Sequence, residues 1–120
     1  MEGLPPNLNL PLSAAVVAGD RVYLSGALGN DDSNRGNAAA QTRATLEKLR
    51  RTLAAAGSSP TQVAESIVYV TNPNNLAAID AEYEAFFGSH RPARTTIRCG
   101  LVAPDGLVEI MLTGAAAKVN

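Results

Sequence analysis

Two arginines and one glutamate in the C-terminal third are the residues best suited to chemistry. Arg94 and Arg98 lie in a β-rich segment that ends at Cys99, and their spacing places both on the same side of a strand. Glu109 lies in a second β-rich segment, Leu107 to Gly114, where its neighbours on either side are apolar. A carboxylate in such surroundings needs a partner or has a raised pKa. If the two segments pair as a hairpin, an arginine of the first can meet Glu109.

Such a pair has two interpretations. An internal ion pair would only set the register of the two strands. Alternatively, Arg94 binds a small anion, and Glu109 beside it handles water or a proton. The arginine-rich basic set favours planar carboxylate recognition, because Lys48 and Lys118 are the only lysines among ten basic residues.

The sequence has one histidine, His90, and one cysteine, Cys99. A disulfide within the chain, a multi-cysteine metal site and a site with several histidine ligands are therefore excluded. We expect His90 to be a solvated residue of a connector, and Cys99 to be a small core residue on the side opposite Arg94. No metal or cofactor is predicted.

Length and charge narrow the function classes. The 120 residues, 46% of them hydrophobic, predict a single domain over residues 1–120. A formal net charge of −1 gives no attraction to phosphate backbones or anionic lipid, so neither nucleic acid nor membrane is an expected partner. The N-terminus has no basic and apolar leader, and no apolar run reaches the roughly 18 residues of a membrane span, so we expect a cytoplasmic protein.

The elements that must position these residues follow the order ββαβαββ. Hairpins at both ends predict antiparallel pairing, and interleaved helices predict an α+β sheet with both helices on one face. Strand residues are apolar in both phases, so the other face needs cover, which another subunit would supply. The predicted segments are an extended arm (1–12), a hairpin (14–18 and 21–25), a helix capped by Asn37 and ended by Gly57, a strand (63–71), a helix from Asn72-Pro73 to Gly88, and the last two strands around a turn at 104–106.

Several ordered motifs resemble the Rid family, the YjgF-type reactive-intermediate (enamine/imine) deaminases. The motifs span nearly the whole chain: VYLSG (22–26), the long helix (42–57), YEAFF (83–87), HRPARTTI (90–97) and LVEI (107–110). The resemblance implies a chorismate-mutase-like fold, in which a mixed sheet carries two helices on one face. It also implies a homotrimer that packs its sheets around a central core, with three clefts between subunits.

The resemblance further implies an activity. Family members hydrolyse unstable 2-imino acids to 2-oxo acids and ammonia without a cofactor. By position, Arg94 matches the arginine that clamps the substrate carboxylate, and Glu109 matches the glutamate that holds the attacking water. Ser25 and Gly26 would line the pocket, and the main chain near Thr96 would face the imine or water.

Three positions depart from the family pattern. Leu12 stands where the best-known imine deaminases have tyrosine, Thr96 stands where many have cysteine, and Asp80 replaces an asparagine found near the subunit boundary in some members. The lost tyrosine hydroxyl makes the rim more apolar at Leu12. The side chain of the substrate is therefore open.

Two other functions stay open at this point. The same cleft would serve a binding module that holds a 2-oxo acid without turnover. Endoribonuclease activity is a third hypothesis, but the near-neutral charge and the single histidine provide neither a phosphate track nor an acid/base pair. The enzymatic hypothesis requires Arg94 and Glu109 to meet across adjoining strands, in a crevice shared between copies of the chain. A structure that places the two groups on opposite faces of the sheet would contradict it.

Overall fold

A computed structural model describes residues 10–116, so most of the arm predicted for residues 1–12 lies outside the described residues. The described residues form five strands and two α-helices in the expected order. Single 3₁₀ turns precede β3 and α2. The elements are β1 (Ala15–Ala18), β2 (Arg21–Leu24), α1 (Ala38–Ala55), β3 (Val63–Val70), α2 (Leu76–Phe87), β4 (Ala93–Arg98) and β5 (Val108–Ala115).

The sheet has the order β1-β2-β5-β3-β4. The N-terminal hairpin is confirmed: β1 pairs antiparallel with β2, and the turn between them uses Gly19 at a φ of 62°. Strand β5 lies in the interior of the sheet, antiparallel to both β2 and β3. Strand β4 pairs parallel with β3, which makes the sheet mixed.

The predicted C-terminal hairpin is wrong, because β3 lies between β4 and β5. Helix α2 connects β3 to β4, and a helical crossover brings a strand back parallel to its neighbour. The polar segment ARTTIR then takes the edge of the sheet, where its unpaired side meets solvent, and the apolar segment VEIMLTGA takes the interior. The connection 99–107 is long enough to pass over β3.

Both helices pack on one face of the sheet, as expected. The side chain of Asn37 accepts a hydrogen bond from the Ala40 N–H at 3.0 Å and caps α1. Leu46, Leu49 and Leu53 of α1 are at most 1% exposed, so truncating one of them to alanine would cost about 2–5 kcal/mol of stability. Gly57 follows the helix with a φ of 80°, a conformation that favours glycine.

Within residues 10–116, no helix lies over the opposite face of the sheet. Alternation along β3 places Val68 in the core, while Ile67 and Tyr69 point to the uncovered face. Apolar side chains on this face are exposed: Tyr23 to 45% and Ile97 to 38%. No helix within residues 10–116 is long and apolar enough to cross a bilayer.

Candidate functional site

Arg94 lies on the helix-bearing face of edge strand β4. Its Nε donates to Thr96 Oγ1 at 2.8 Å, across the two-residue step that keeps both side chains on one face. Its Nη2 lies 2.7 Å from Asp80 Oδ1 on α2. The guanidinium is therefore held at two of its three nitrogens, although its side chain is still 20% exposed.

Tyr83 supports the flat face of this guanidinium. Arg94 Cζ lies 4.7 Å from the centroid of the Tyr83 ring, which gives a cation–π contact. The phenol oxygen lies 2.6 Å from Ser66 Oγ in the core, and burial raises the pKa of the Tyr83 phenol. In the sequence, Tyr83 stands out only as the first residue of the YEAFF motif (83–87), and no sequence signal connected it to Arg94.

Asp80 and Arg94 border a cavity of about 310 Å³ at the C-terminal end of α2. Glu84, Arg91 and the ring of Phe87 also line it. The cavity is at the small end of the range of ligand pockets and has room for a small organic acid.

Glu109 lies on the uncovered face of β5, in register with Tyr69 of β3. Its side chain is half-buried, and burial raises the pKa of its carboxyl above the ordinary value of 4.5. Among residues 10–116 the carboxylate has no ion-pair or hydrogen-bond partner. A Cβ at position 26 would overlap Glu109 Oε2, so glycine is required for the carboxylate to lie there.

Ser25, Gly26 and Leu12 line a second cavity, of about 230 Å³, together with residues of α1. The Ser25 hydroxyl donates to the Ser13 carbonyl at 2.6 Å and so fixes the entry to the hairpin. Leu12 is 51% exposed at the rim. The structure thus brings Leu12, Ser25 and Gly26 together, with Glu109 against Gly26.

The expectation that Arg94 and Glu109 meet across adjoining strands is wrong, and it rules out the enzymatic hypothesis in the form in which both groups act from one sheet. Arg94 pairs in register with Ser66, which is buried on the helix-bearing face, whereas Glu109 pairs with Tyr69 on the other face. Strand β3 also separates their backbones by two strand spacings, about 10 Å. The predicted site residues therefore form two groups: an Arg94 group (Asp80, Arg94, Thr96) and a Glu109 group (Leu12, Ser25, Gly26, Glu109).

Two further expectations are corrected. His90 is partly buried rather than solvated, because its Nε2 donates to the Val63 carbonyl at 2.7 Å and ties the connector to the start of β3. Cys99 is partly exposed and outside the core, because it follows the last residue of an edge strand. No cluster of three or more potential metal ligands occurs within residues 10–116.

Proteins of one known family share this architecture. The model of the family described as Endoribonuclease L-PSP matches residues 5–116. A YjgF-family protein of Neisseria meningitidis is 27% identical, with a TM-score of 0.83 over 98% of this chain and 93% of that one. A member of the YjgF/YER057c/UK114 family from Mycobacterium tuberculosis is 30% identical, with a TM-score of 0.81 over 88% of this chain and 86% of that one.

A third similar structure is described as a putative endoribonuclease from Thermotoga maritima. It is 26% identical, with a TM-score of 0.83 over 98% of this chain and 96% of that one. The family match covers nearly the whole chain, and the sheet and helices agree with those of the solved structures. The chain therefore belongs to the YjgF family, the family of the Endoribonuclease L-PSP model.

Proposed function

We propose that this protein hydrolyses 2-imino acids to 2-oxo acids and ammonia, at a site in which Arg94 of one copy faces Glu109 of another. This proposal replaces the pair expected across adjoining strands, and the observation that carries it is the split of the site residues. Within residues 10–116, Glu109 is a half-buried carboxylate without a partner, on an apolar face that no helix covers. Arg94 is a guanidinium held by Thr96 and Asp80 on the other face of the sheet.

The Arg94 group would bind the substrate. A guanidinium held by Thr96, Asp80 and the Tyr83 ring keeps one edge for a ligand, and arginine recognises carboxylates through planar, paired hydrogen bonds. Holding the carboxylate fixes the adjacent imine carbon relative to the base. Because imines hydrolyse in water unaided, positioning supplies much of the acceleration required.

The Glu109 group would activate water. With its pKa raised by burial, the Glu109 carboxylate is a stronger base than an exposed glutamate, and a positioned base contributes roughly 10²–10⁴-fold. The water oxygen bonds to the carbon of the protonated imine as one water proton passes to Glu109, which gives a neutral carbinolamine. Glu109 then returns this proton to the nitrogen. The C–N bond breaks as the hydroxyl proton passes to Glu109, the carbonyl of the 2-oxo acid forms, and the released ammonia takes up that last proton as ammonium. No redox step or cofactor enters this sequence.

A second copy would complete the site. The uncovered face carries Tyr23, Ile97 and Met111 beside Glu109, and apolar surface of this kind is commonly covered in an assembly. Three copies packed around a central core would cover these faces and leave three clefts at their boundaries. Sedimentation checks this arrangement, and a stable monomer at micromolar concentration would contradict it.

The activity is tested by generating an imine in place with an amino acid oxidase or a threonine dehydratase. The protein should accelerate release of the 2-oxo acid. Arg94→Ala should abolish the acceleration, while Arg98→Ala, the same change on the same face of β4, should retain it. Equal rates for Arg94→Ala and the wild type would contradict the proposal.

Binding and activity assays also distinguish two alternative functions. Tight binding of 2-oxobutyrate with no effect on imine decay would favour a binding module. The name of the family model makes RNA cleavage a second candidate, but a net charge of −1 and a His90 ring engaged with the Val63 carbonyl argue against it. Cleavage of an RNA substrate that Arg94→Ala leaves unchanged would place any such activity elsewhere.

A further inference from the structure

The cavity beside Arg94 is bordered by two pairs of opposite charges. Arg94 Nη2 lies 2.7 Å from Asp80 Oδ1, and Arg91 Nη2 lies 3.4 Å from Glu84 Oε1. All four side chains line the same cavity of about 310 Å³. Each arginine charge is therefore balanced by a carboxylate, and the cavity gives a simple anion little net attraction.

Arg94 keeps only part of its hydrogen-bonding capacity for a ligand. Nε donates to Thr96, Nη2 faces Asp80, and Tyr83 covers one face of the guanidinium. Among residues 10–116, Nη1 has no partner. A ligand carboxylate bound at Nη1 would thus lie near the Asp80 carboxylate, and the two negative charges repel unless the ligand places a positive group between them.

We propose that Asp80 makes this site selective for small zwitterions, with a cationic nitrogen on the carbon next to the carboxylate, over 2-oxo acids of the same skeleton. In a protonated 2-imino acid or a 2-amino acid, the carboxylate meets Arg94 while the nitrogen donates to Asp80. A 2-oxo acid instead presents a carbonyl acceptor to an acceptor carboxylate.

This inference rests on the proposed function, because it assigns specificity to the same site. It adds that the site distinguishes the nitrogen-bearing substrate from the oxygen-bearing product. Loss of the nitrogen as ammonia removes the group that Asp80 binds, so the 2-oxo acid is bound weakly and leaves.

Calorimetric titration with two stable ligands of equal skeleton, 2-aminobutyrate and 2-oxobutyrate, tests the proposal. The wild type should bind 2-aminobutyrate more tightly. Asp80→Asn should change the affinity ratio toward 2-oxobutyrate by at least about tenfold, the effect of one charge-assisted hydrogen bond. Glu84→Gln removes the same charge from the same cavity without touching Arg94. It can therefore change the ratio only through the net charge of the cavity, and its shift should be clearly smaller than that of Asp80→Asn.

Three results would overturn the proposal: a wild type that prefers 2-oxobutyrate, a ratio unchanged in Asp80→Asn, or no binding of either ligand at millimolar concentration. Asp80 is 49% exposed, and the wild-type comparison decides the question even if its variant does not fold. Because no turnover is involved, the two proposals fail separately. A protein that passes the ligand test without accelerating imine decay loses only the deaminase function, and the reverse result removes only the selectivity.

Discussion

Mixing two inactive variants tests whether the site is shared between copies. In the proposed mechanism, Arg94→Ala removes the carboxylate clamp, and Glu109→Gln removes the general base, which is worth roughly 10²–10⁴-fold. Because the two side chains lie on opposite faces of one sheet, one chain cannot supply both to a single small substrate. In co-expressed assemblies, a site is intact when its Arg94 comes from the Glu109→Gln copy and its Glu109 from the Arg94→Ala copy. Random equal mixing makes this true of about a quarter of the sites.

The assay is 2-oxo acid release from an enzymatically generated imine, with both variants purified through a common tag. Each variant alone should be inactive, and the mixture should recover about a quarter of the wild-type rate. A matched control mixes wild type with the double variant: a shared site keeps about a quarter of the rate, whereas a site within one chain keeps about half. An inactive mixture of single variants, with mixed assemblies demonstrated by native mass spectrometry, would refute the shared site.

Three further predictions concern the two groups separately. Gly26→Ala should lower the imine hydrolysis rate by about 10²-fold, because its Cβ displaces the Glu109 carboxylate, while Gly100→Ala, with open space around it, should match the wild type in the same assay. Glu109→Gln should raise the melting temperature at neutral pH. The folded state holds the Glu109 proton more tightly than the unfolded chain, so stability is lost as pH rises through the raised pKa. The gain should therefore vanish in melts below the ordinary value of 4.5, and a gain that persists there would contradict this assignment. Tyr83→Phe should cost about 1–3 kcal/mol in chemical denaturation by leaving the buried Ser66 hydroxyl without its partner, yet should retain activity because the ring under Arg94 stays; an inactive but folded variant would show that the phenol itself is needed.

Local patterns predicted most of the elements well. The Asn37 cap and the glycine at position 57 each involve residues within a few positions of one helix end, and the structure confirms both. The N-terminal hairpin is equally local, since its turn joins two strands that pair directly. When the contacts that form a helix or hairpin join residues close in the chain, the local sequence is sufficient to predict that element.

The strand that pairs with β4 could not be predicted from local patterns. Edge strands are commonly more polar than interior strands. The polar sequence ARTTIR of β4 and the apolar sequence VEIMLTGA of β5 therefore indicated that β4 lies at the edge and β5 in the interior. The length of the connection 99–107 was a second signal, because tight hairpin loops have only 2–5 residues. Both favour an edge position for β4 that is not beside β5, but neither identifies β3 as its neighbour, because that pairing joins segments far apart in the chain.

The sequence by itself determined which residue types are present and which side of its own strand each one takes. Alternation correctly placed Arg94 and Arg98 on one side of β4, since their partners Ser66 and Val70 are both buried on the helix-bearing face. Only the tertiary structure decided which residues of different strands share a face of the sheet, because this depends on the pairing register between segments far apart in the chain. Arg94 pairs with Ser66 and Glu109 pairs with Tyr69, which point to opposite faces of β3, so the two side chains lie on opposite faces of the sheet. The contact of Arg94 with Asp80 and Tyr83 arose from the packing of α2 on the sheet.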